Sequence, residues 1–402
     1  MRRKPLPVAI LADDLTGALD TAAPFASNGL DTWLDLAPDL VDRRLDPGAD
    51  VIALTTESRH LPDDQASERV EAAIEVLGAL QPGILFKKID SLLRGNIAAE
   101  VVAALRTTGR RHAIITPAVP SQNRTVRGGT VYVNGMRLPA SVGGEKASDM
   151  AESAHLPDVL ERAGCLHIHR VSAGGSPTLA VEPGLHAYVV DAESEANLDR
   201  LAQFVAQRSS EILPVGASGF GRALAGMLGQ NDPRERLQVG QGVLLFVIGS
   251  QREASLAQIQ ALRAAGAEEV EVPVRTEPDI DLLLDRASLQ TVTSLIIVRP
   301  EAIAVSGVSP QMIAGRLGRV AAAIVRRVDV AGLVMAGGDT AAACVQTLGA
   351  ECLHVRGELH DGIAFGAILT GTKTIPFFTK SGSFGRRDAW TRLAAMLRTA
   401  RL

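Results

Sequence analysis

Two aspartates stand side by side where an apolar run gives way to a helical pattern: LPVAILA is followed by Asp13 and Asp14, and then by LTGALDTAAPFASNG. In open α/β sheets ligands gather at the carboxyl ends of strands. Carboxylates in that position can meet substrate hydroxyls, a metal ion or a reacting proton. Asp14 could equally serve as the N-cap of the helix, for which aspartate is a preferred residue. A denser cluster follows a second apolar run, in FKKIDSLLRGN: Lys88, Ile89, Asp90, Ser91 and Arg94 share one turn closed by a glycine, just before a helix predicted to begin near Ile97. Its cations offer donors for a carboxylate or phosphate, and Asp90 and Ser91 offer acceptors for hydroxyls. Between these two lies TTESR, again after an apolar run, where the Arg59 fork has the geometry to hold a substrate carboxylate through two parallel hydrogen bonds, or to sit on the surface.

The second half of the chain carries a different chemistry. Gly249 and Ser250 precede the helical segment QREASLAQIQALRAAG, and Gly337, Gly338, Asp339 and Thr340 precede AAACVQTLG. Glycines let a backbone approach an anion closely, and a helix N-terminus supplies free amide donors; either could be a tight strand-to-helix turn with a capping Asp or Thr, but two in one domain favour nucleotide-phosphate sites. A third glycine loop contains Ser381, Gly382, Ser383 and Phe384, between the apolar IPFF and the amphipathic RRDAWTRLAAMLRTARL. Its hydroxyls and amides could reach nucleotide oxygens, or it could be a plain connection.

Two look-alikes are set aside. Gly366 to Thr374 resembles a phosphate-binding loop but has one residue too many before Lys373, and it ends what reads as a helix begun near Asp361. His167 and His169 would share one face of a strand, yet no third ligand is spaced nearby, so strand histidines are a better reading than a metal site. No G-x-G-x-x-G follows the first apolar run, which weighs against a dinucleotide fold.

These turns need strands to hold them. Short Val- and Ile-rich runs alternate with helical periodicity through both halves: LPVAILA, DVIALTT, GILFKKID, RHAIITP and LHAYVVDA, then GVLLFVIGS, VEVPV, SLIIVRP, GLVMAGGDT and CLHVRGEL. That alternation predicts an α/β fold with mostly parallel sheets flanked by helices. At 402 residues two domains are expected, and the helix-breaking GQNDPRERLQVGQG places the junction so that 1–235 and 236–402 are separate domains. The turn pairs Gly128-Gly129 and Asn134-Gly135 flank the strand-like TVYV, which predicts a β-hairpin excursion.

A net charge of −4, scattered Lys and Arg, and only two Trp and two Tyr argue against nucleic acid as a partner. No run approaches the length needed to cross a bilayer, and the basic N-terminus leads into an apolar stretch broken early by Asp13 and Asp14, unlike a secretory signal. Three cysteines without C-x-x-C spacing fit a reducing compartment, so a cytoplasmic location is expected. Apolar helices in either half could face a core or a second copy, which leaves a homodimer open.

Taken together, ADDLTGALDTAAPFA, KKIDSLLRGN, the PAVPSQNRTVRGGTVYVNG region, AGGDTAAA and TKSGSFG resemble the four-carbon acid sugar kinase family, in order along nearly the whole chain. The resemblance implies an N-terminal sugar-acid domain, a C-terminal ATP domain and chemistry in a cleft. It puts substrate contacts at Asp14, Arg59 and Lys88 to Ser91, and nucleotide contacts at Ser250, Gly337 to Thr340 and Ser381 to Phe384. Lys-Ile-Asp-Ser is more similar to the D-threonate and D-erythronate branch than to the 3-oxo-tetronate branch, although Leu92 stands where that branch commonly has Thr. The expected reaction is transfer of the γ-phosphoryl group of ATP to the terminal hydroxyl of D-threonate. D-erythronate, L-threonate or a 3-oxo-tetronate is the alternative acceptor. Asp14 is the first choice of base and Asp90 the second, and Mg²⁺ accompanies the nucleotide with ligands unassigned. The rivals are a sugar-acid-binding protein without catalysis and a nicotinamide-dependent oxidoreductase.

Overall fold

The computed structural model describes residues 7–36, 48–138, 153–229, 240–286, 295–301, 307–359, 362–382 and 385–399. The chain divides into two compact units, Met1–Pro233 and Arg234–Leu402.

In the first unit the order along the chain is β1 (Val8–Ala12), α1 (Leu15–Ser27), β2 (Thr32–Asp35), β3 (Val51–Thr55), α2 (Asp63–Gly78), β4 (Ile84–Lys88), α3 (Ile97–Thr108) and β5 (His112–Thr116). It continues through β6 (Arg124–Arg127), β7 (Thr130–Val133), β8 (Met136–Arg137), α4 (Leu156–Glu161), β9 (Leu166–Val171), β10 (Leu185–Val190), α5 (Glu195–Ala206), β11 (Ile212–Gly216) and α6 (Ser218–Leu228). Strands β2, β3, β1, β4, β11, β5, β10 and β9 lie side by side in that order, every pair parallel. β1, β3, β4 and β5 are buried along their whole length, as parallel strands covered on both faces must be, and this explains their unbroken apolar runs. Phe86 on β4 and Phe220 on α6 pack edge to face with ring centroids 5.6 Å apart, fastening that helix to the sheet. The excursion is a small antiparallel sheet, β6-β7-β8, with one strand more than the predicted hairpin.

The second unit runs β12 (Val243–Ile248), α7 (Glu253–Ala264), β13 (Glu268–Val272), α8 (Ile280–Arg286), β14 (Leu295–Pro300), α9 (Pro310–Arg327), β15 (Val330–Ala336) and α10 (Gly338–Thr347). It ends with β16 (Ala350–Leu359), β17 (Ile363–Thr370), β18 (Thr374–Lys380) and α11 (Ala389–Thr399). Its strands lie in the order β13, β14, β12, β15, β18, β17, β16, parallel up to β18 and antiparallel for the last two. Phe246, Leu262, Phe378 and Trp390 are fully buried in its core.

One element corrects the sequence reading. Residues from Ile363 to Lys380 form the β17–β18 hairpin and not a helix. An apolar run without charged punctuation carries no period that separates a strand from a buried helix. The glycine decides it: a Cβ on Gly366 would collide with the His354 carbonyl of the neighbouring strand. The phosphate-loop look-alike is the hairpin turn itself, closed by the Thr370 amide donating to the Lys373 carbonyl at 2.9 Å.

Candidate active site

β1, β3 and β4 are adjacent, and the chain crosses from β3 over β1 to β4, which makes their carboxyl ends a topological switch point. The three sequence clusters of the first half emerge there. Asp14 begins α1 in extended conformation and accepts from the Gly17 amide at 2.9 Å, so it is the N-cap. Its carboxylate also faces Arg59, so the capping and the polar-site readings both hold. The Arg59 guanidinium reaches Asp13 through Nε at 2.7 Å and Nη2 at 3.0 Å, and Asp14 through Nη1 and Nη2, each at 2.7 Å. Both edges of the fork are therefore taken by the protein's own carboxylates. The two-bond clamp on a substrate carboxylate requires one of them to move aside.

Asp90 accepts from Arg94 Nε at 2.9 Å and Nη2 at 2.8 Å, and from the Leu92 amide at 3.1 Å. Burial opposes its ionisation, but Arg94, followed by Arg59 and Lys88, holds the carboxyl well below the usual carboxylate range. Asp13 behaves alike: burial raises it, and Arg59, Lys88 and Lys87 together bring it below its ordinary value. Both are anions at neutral pH.

Lys88 has a different situation. Only 4% of the residue is exposed, yet among the described residues its ammonium has no hydrogen-bond or ion-pair partner. It lies over the first turn of α1, where a Cβ added to Gly17 would stand 2.7 Å from Nζ and 2.5 Å from Asp14 Oδ1. Gly17 thus keeps open the space between this cation and a carboxylate, and an ammonium on a largely buried stem that no protein group meets is placed to receive an anionic ligand. Ile89 contributes no side-chain polarity: it is buried, and its amide donates to the Gly216 carbonyl at 2.9 Å.

Other residues at this site escaped the sequence reading. Arg124, at the start of β6 and 7% exposed, donates to Ser91 Oγ. It sits in the quoted PSQNRTVRGG segment, but nothing local distinguished it from the neighbouring Arg127. Glu57 holds a left-handed backbone, φ 44°, and its carboxylate accepts from the Thr55 hydroxyl at 2.6 Å. Glu57 is exposed as a residue, yet desolvation of its carboxyl and the charges of Asp14 and Asp13, against the Thr55 hydrogen bond and Arg59, raise it to about 7. Its left-handed backbone has no sequence signature, because glycine and asparagine are the residues expected in that conformation.

In the second unit β12, β15 and β18 are neighbours, so their three following turns converge. A Cβ on Gly249 would strike Thr340 Oγ1, and one on Gly382 would strike Ser250 Oγ. Gly337 has φ 104°, which only glycine adopts without strain, and its amide donates to the Lys380 carbonyl at 3.3 Å. Ser255 Oγ donates to the Gly382 carbonyl at 2.8 Å, tying α7 to the last of these turns. Gly338, Asp339 and Thr340 form the first turn of α10, which puts a helix N-terminus at the same strand ends. Ser381 leads into this last turn, whereas Ser383 and Phe384 lie outside the described residues. Glycines packed against hydroxyls beside a helix N-terminus are the arrangement that admits phosphate oxygens to backbone amides.

His167 and His169 do share a face of β9. Both rings stack against His186, and His169 Nε2 lies 3.1 Å from His186 Nδ1. Among the described residues no group of three or more His, Cys, Asp or Glu side chains is arranged to hold a metal ion, and no helix is long and apolar enough to cross a membrane.

An α/β unit with a cation and carboxylate cluster at its switch point, in one chain with an α/β unit bearing convergent glycine turns, defines a protein class that acts on a small polar molecule and a phosphate-bearing one. Comparison with known proteins specifies it. Residues 8–224 match a family model described as a sugar-binding N-terminal domain, and residues 245–390 one described as a nucleotide-binding C-terminal domain. The chain is 31% identical to a D-threonate kinase of Bordetella bronchiseptica, covering 98% of both chains, and 32% identical to one of Salmonella typhimurium, covering 94% and 95%. A D-erythronate kinase of Heliobacterium modesticaldum is 28% identical over 95% of each. A solved structure from Salmonella typhimurium, titled a putative tRNA synthase, superposes with a TM-score of 0.77 at 20% identity, covering 96% of this chain and 98% of that one; it supports the fold alone. The chain belongs to the four-carbon acid sugar kinase family, and it is a sugar-acid kinase.

Proposed function

We propose that the protein transfers the γ-phosphoryl group of ATP to the terminal hydroxyl of D-threonate, yielding D-threonate 4-phosphate and ADP. The observation that carries an acid as acceptor is Lys88: an ammonium without a protein partner at the end of a largely buried side chain, with Gly17 leaving space beside Asp14, suits an anionic, hydroxyl-bearing ligand. D-Threonate in particular is supported by the relatives at 31–32% identity, and D-erythronate and 3-oxo-tetronates, the substrates named for relatives at 28%, are the competing acceptors.

In this reading the first domain, 1–235, binds the acid and the second, 236–402, binds ATP. Lys88 and Arg94 attract the acid's carboxylate, and Asp13, Ser91 and Asp90 meet its hydroxyls. Asp14 takes the proton from the terminal hydroxyl as its oxygen bonds to the γ-phosphorus and the bond to the bridging oxygen of ADP breaks. Asp90 is the weaker base, because Arg94 holds it well below the usual carboxylate range. The glycine turns at Gly249-Ser250, Gly337–Thr340 and Ser381-Gly382 have the small residues that let ATP phosphates approach the backbone closely, and Mg²⁺ would neutralise those phosphates when bound.

The test is a coupled ADP-release assay with ATP and Mg²⁺ against D-threonate, L-threonate, both erythronates and 3-oxo-tetronates, repeated on Asp14→Asn. Asparagine caps a helix as well as aspartate, so the variant should fold and lose roughly 10²–10⁴ in turnover. Turnover of another acid in preference to D-threonate would move the acceptor, and full activity in the variant would remove Asp14 from the chemistry.

A further inference from the structure

The two consecutive lysines at the end of β4 point to opposite faces of the sheet, as strand alternation demands. Lys88 faces α1. Lys87 instead meets Glu100 of α3, Nζ to Oε2 at 2.6 Å, with 1% and 2% of the two side chains exposed. Glu100 Oε1 accepts from Ser58 Oγ at 2.6 Å, and Lys87 Nζ also donates to the Lys88 carbonyl at 3.0 Å. Ser58 is wholly buried and immediately precedes Arg59, and its amide donates to the Asp13 carbonyl at 3.1 Å. Asn96 completes the frame, its side-chain amide donating to the Ser58 and Leu61 carbonyls, each at 2.9 Å.

One buried ion pair therefore touches every turn of the candidate acid site: the strand end bearing Lys88, the loop bearing Arg59 and, through Ser58, the Asp13 backbone. A buried pair is a poor device for stability, since apolar residues of similar volume do as well or better. What it supplies here is direction. Glu100 accepting from the Ser58 hydroxyl and Lys87 donating to the Lys88 carbonyl fix two loops relative to each other in a way that leucine packing does not.

We propose that Lys87 and Glu100 are positioning residues for the sugar-acid site: Glu100 acts through Ser58 on Arg59, which holds the Asp13 and Asp14 carboxylates, and Lys87 acts through the Lys88 carbonyl on Lys88. The inference rests on the acceptor reading of the same strand ends. The test uses two full-chain variants. Lys87→Met/Glu100→Leu removes the pair without leaving a buried charge, and Ser58→Ala leaves the pair intact and cuts its link to the loop along with the 2.7 Å contact between the Ser58 and Thr56 hydroxyls.

Both should melt near the wild type. Each should raise KM for the acid by roughly tenfold to a hundredfold with KM for ATP unchanged, because a displacement of about an ångström carries a cost of that order. Amide exchange at residues 56–60, measured without any substrate, should quicken in both. Wild-type KM and wild-type exchange in Ser58→Ala would overturn the proposal, even if the double variant fails to fold. The exchange measurement also separates the two readings: a wild-type enzyme that phosphorylates no four-carbon acid refutes the acceptor assignment, whereas unchanged exchange at 56–60 refutes the positioning role.

Discussion

Replacing Lys88 by methionine should separate binding from stability. Methionine keeps the apolar stem and removes the ammonium, which the free protein leaves without a hydrogen-bond partner among the described residues. Two opposed terms act on the fold. The cation helps to hold Asp13 and Asp90 ionised, an attraction of a few kcal/mol at the effective dielectric of a protein site. Against this stands the desolvation of a residue only 4% exposed, also of several kcal/mol. Their near-cancellation predicts a change in unfolding free energy within about 1 kcal/mol of zero. Binding has no such cancellation. One charge-assisted hydrogen bond from Lys88 to the acid is worth about 1.5–3 kcal/mol, or roughly 10- to 150-fold in affinity. Calorimetric titration with D-threonate, a urea melt and the ADP-release assay read the three quantities. A loss of about 3 kcal/mol or more in stability, with undiminished affinity for the acid, would show that the ammonium serves the fold and would refute the reasoning.

Gly382→Ala should raise KM for ATP at least roughly tenfold and leave acid affinity unchanged, because its Cβ would displace Ser250 from the nucleotide turns; equal affinity in a fluorescent-nucleotide titration would refute the convergence of those turns. Arg59→Lys keeps the charge but cannot reproduce four hydrogen bonds to Asp13 and Asp14, so urea denaturation should show a loss of about 1.5–3 kcal/mol. Glu57 is raised from 4.5 to about 7, so the fold favours its protonated form. That contribution is complete below pH 4.5 and is lost as pH rises through about 7. Wild-type stability should therefore fall relative to Glu57→Gln between pH 5 and pH 8, and parallel curves for the two proteins would contradict the assignment.

Much of the architecture was legible from residues alone. The apolar runs of β1, β3, β4, β5, β10 and of β12, β14, β15 had no polar alternation, and only parallel strands buried on both faces combine that pattern with intervening helices. The polar turns at Asp13-Asp14, Lys88–Arg94 and Gly337–Thr340 were visible because each interrupts such a run with residues that have no reason to follow a core strand other than ligand contact or capping. β17 was misread for the complementary reason: within a uniformly apolar segment period is lost, and the cross-strand contact of Gly366 with His354 belongs to no local window.

Pairing was beyond the sequence altogether. Nothing in KKID says which lysine is neutralised, since that depends on Glu100 arriving from a helix on one face while Gly17 leaves Lys88 unpaired on the other. Nor could spacing show that Arg59 spends both edges on Asp13 and Asp14, or that Arg124 reaches Ser91 from a separate sheet. The sequence by itself determined which strand ends would be polar, because burial pattern and turn chemistry are local properties of the chain. Only the tertiary structure decided which charges cancel and which remain to be met by a ligand, because electrostatic partnership depends on distances between segments tens of residues apart.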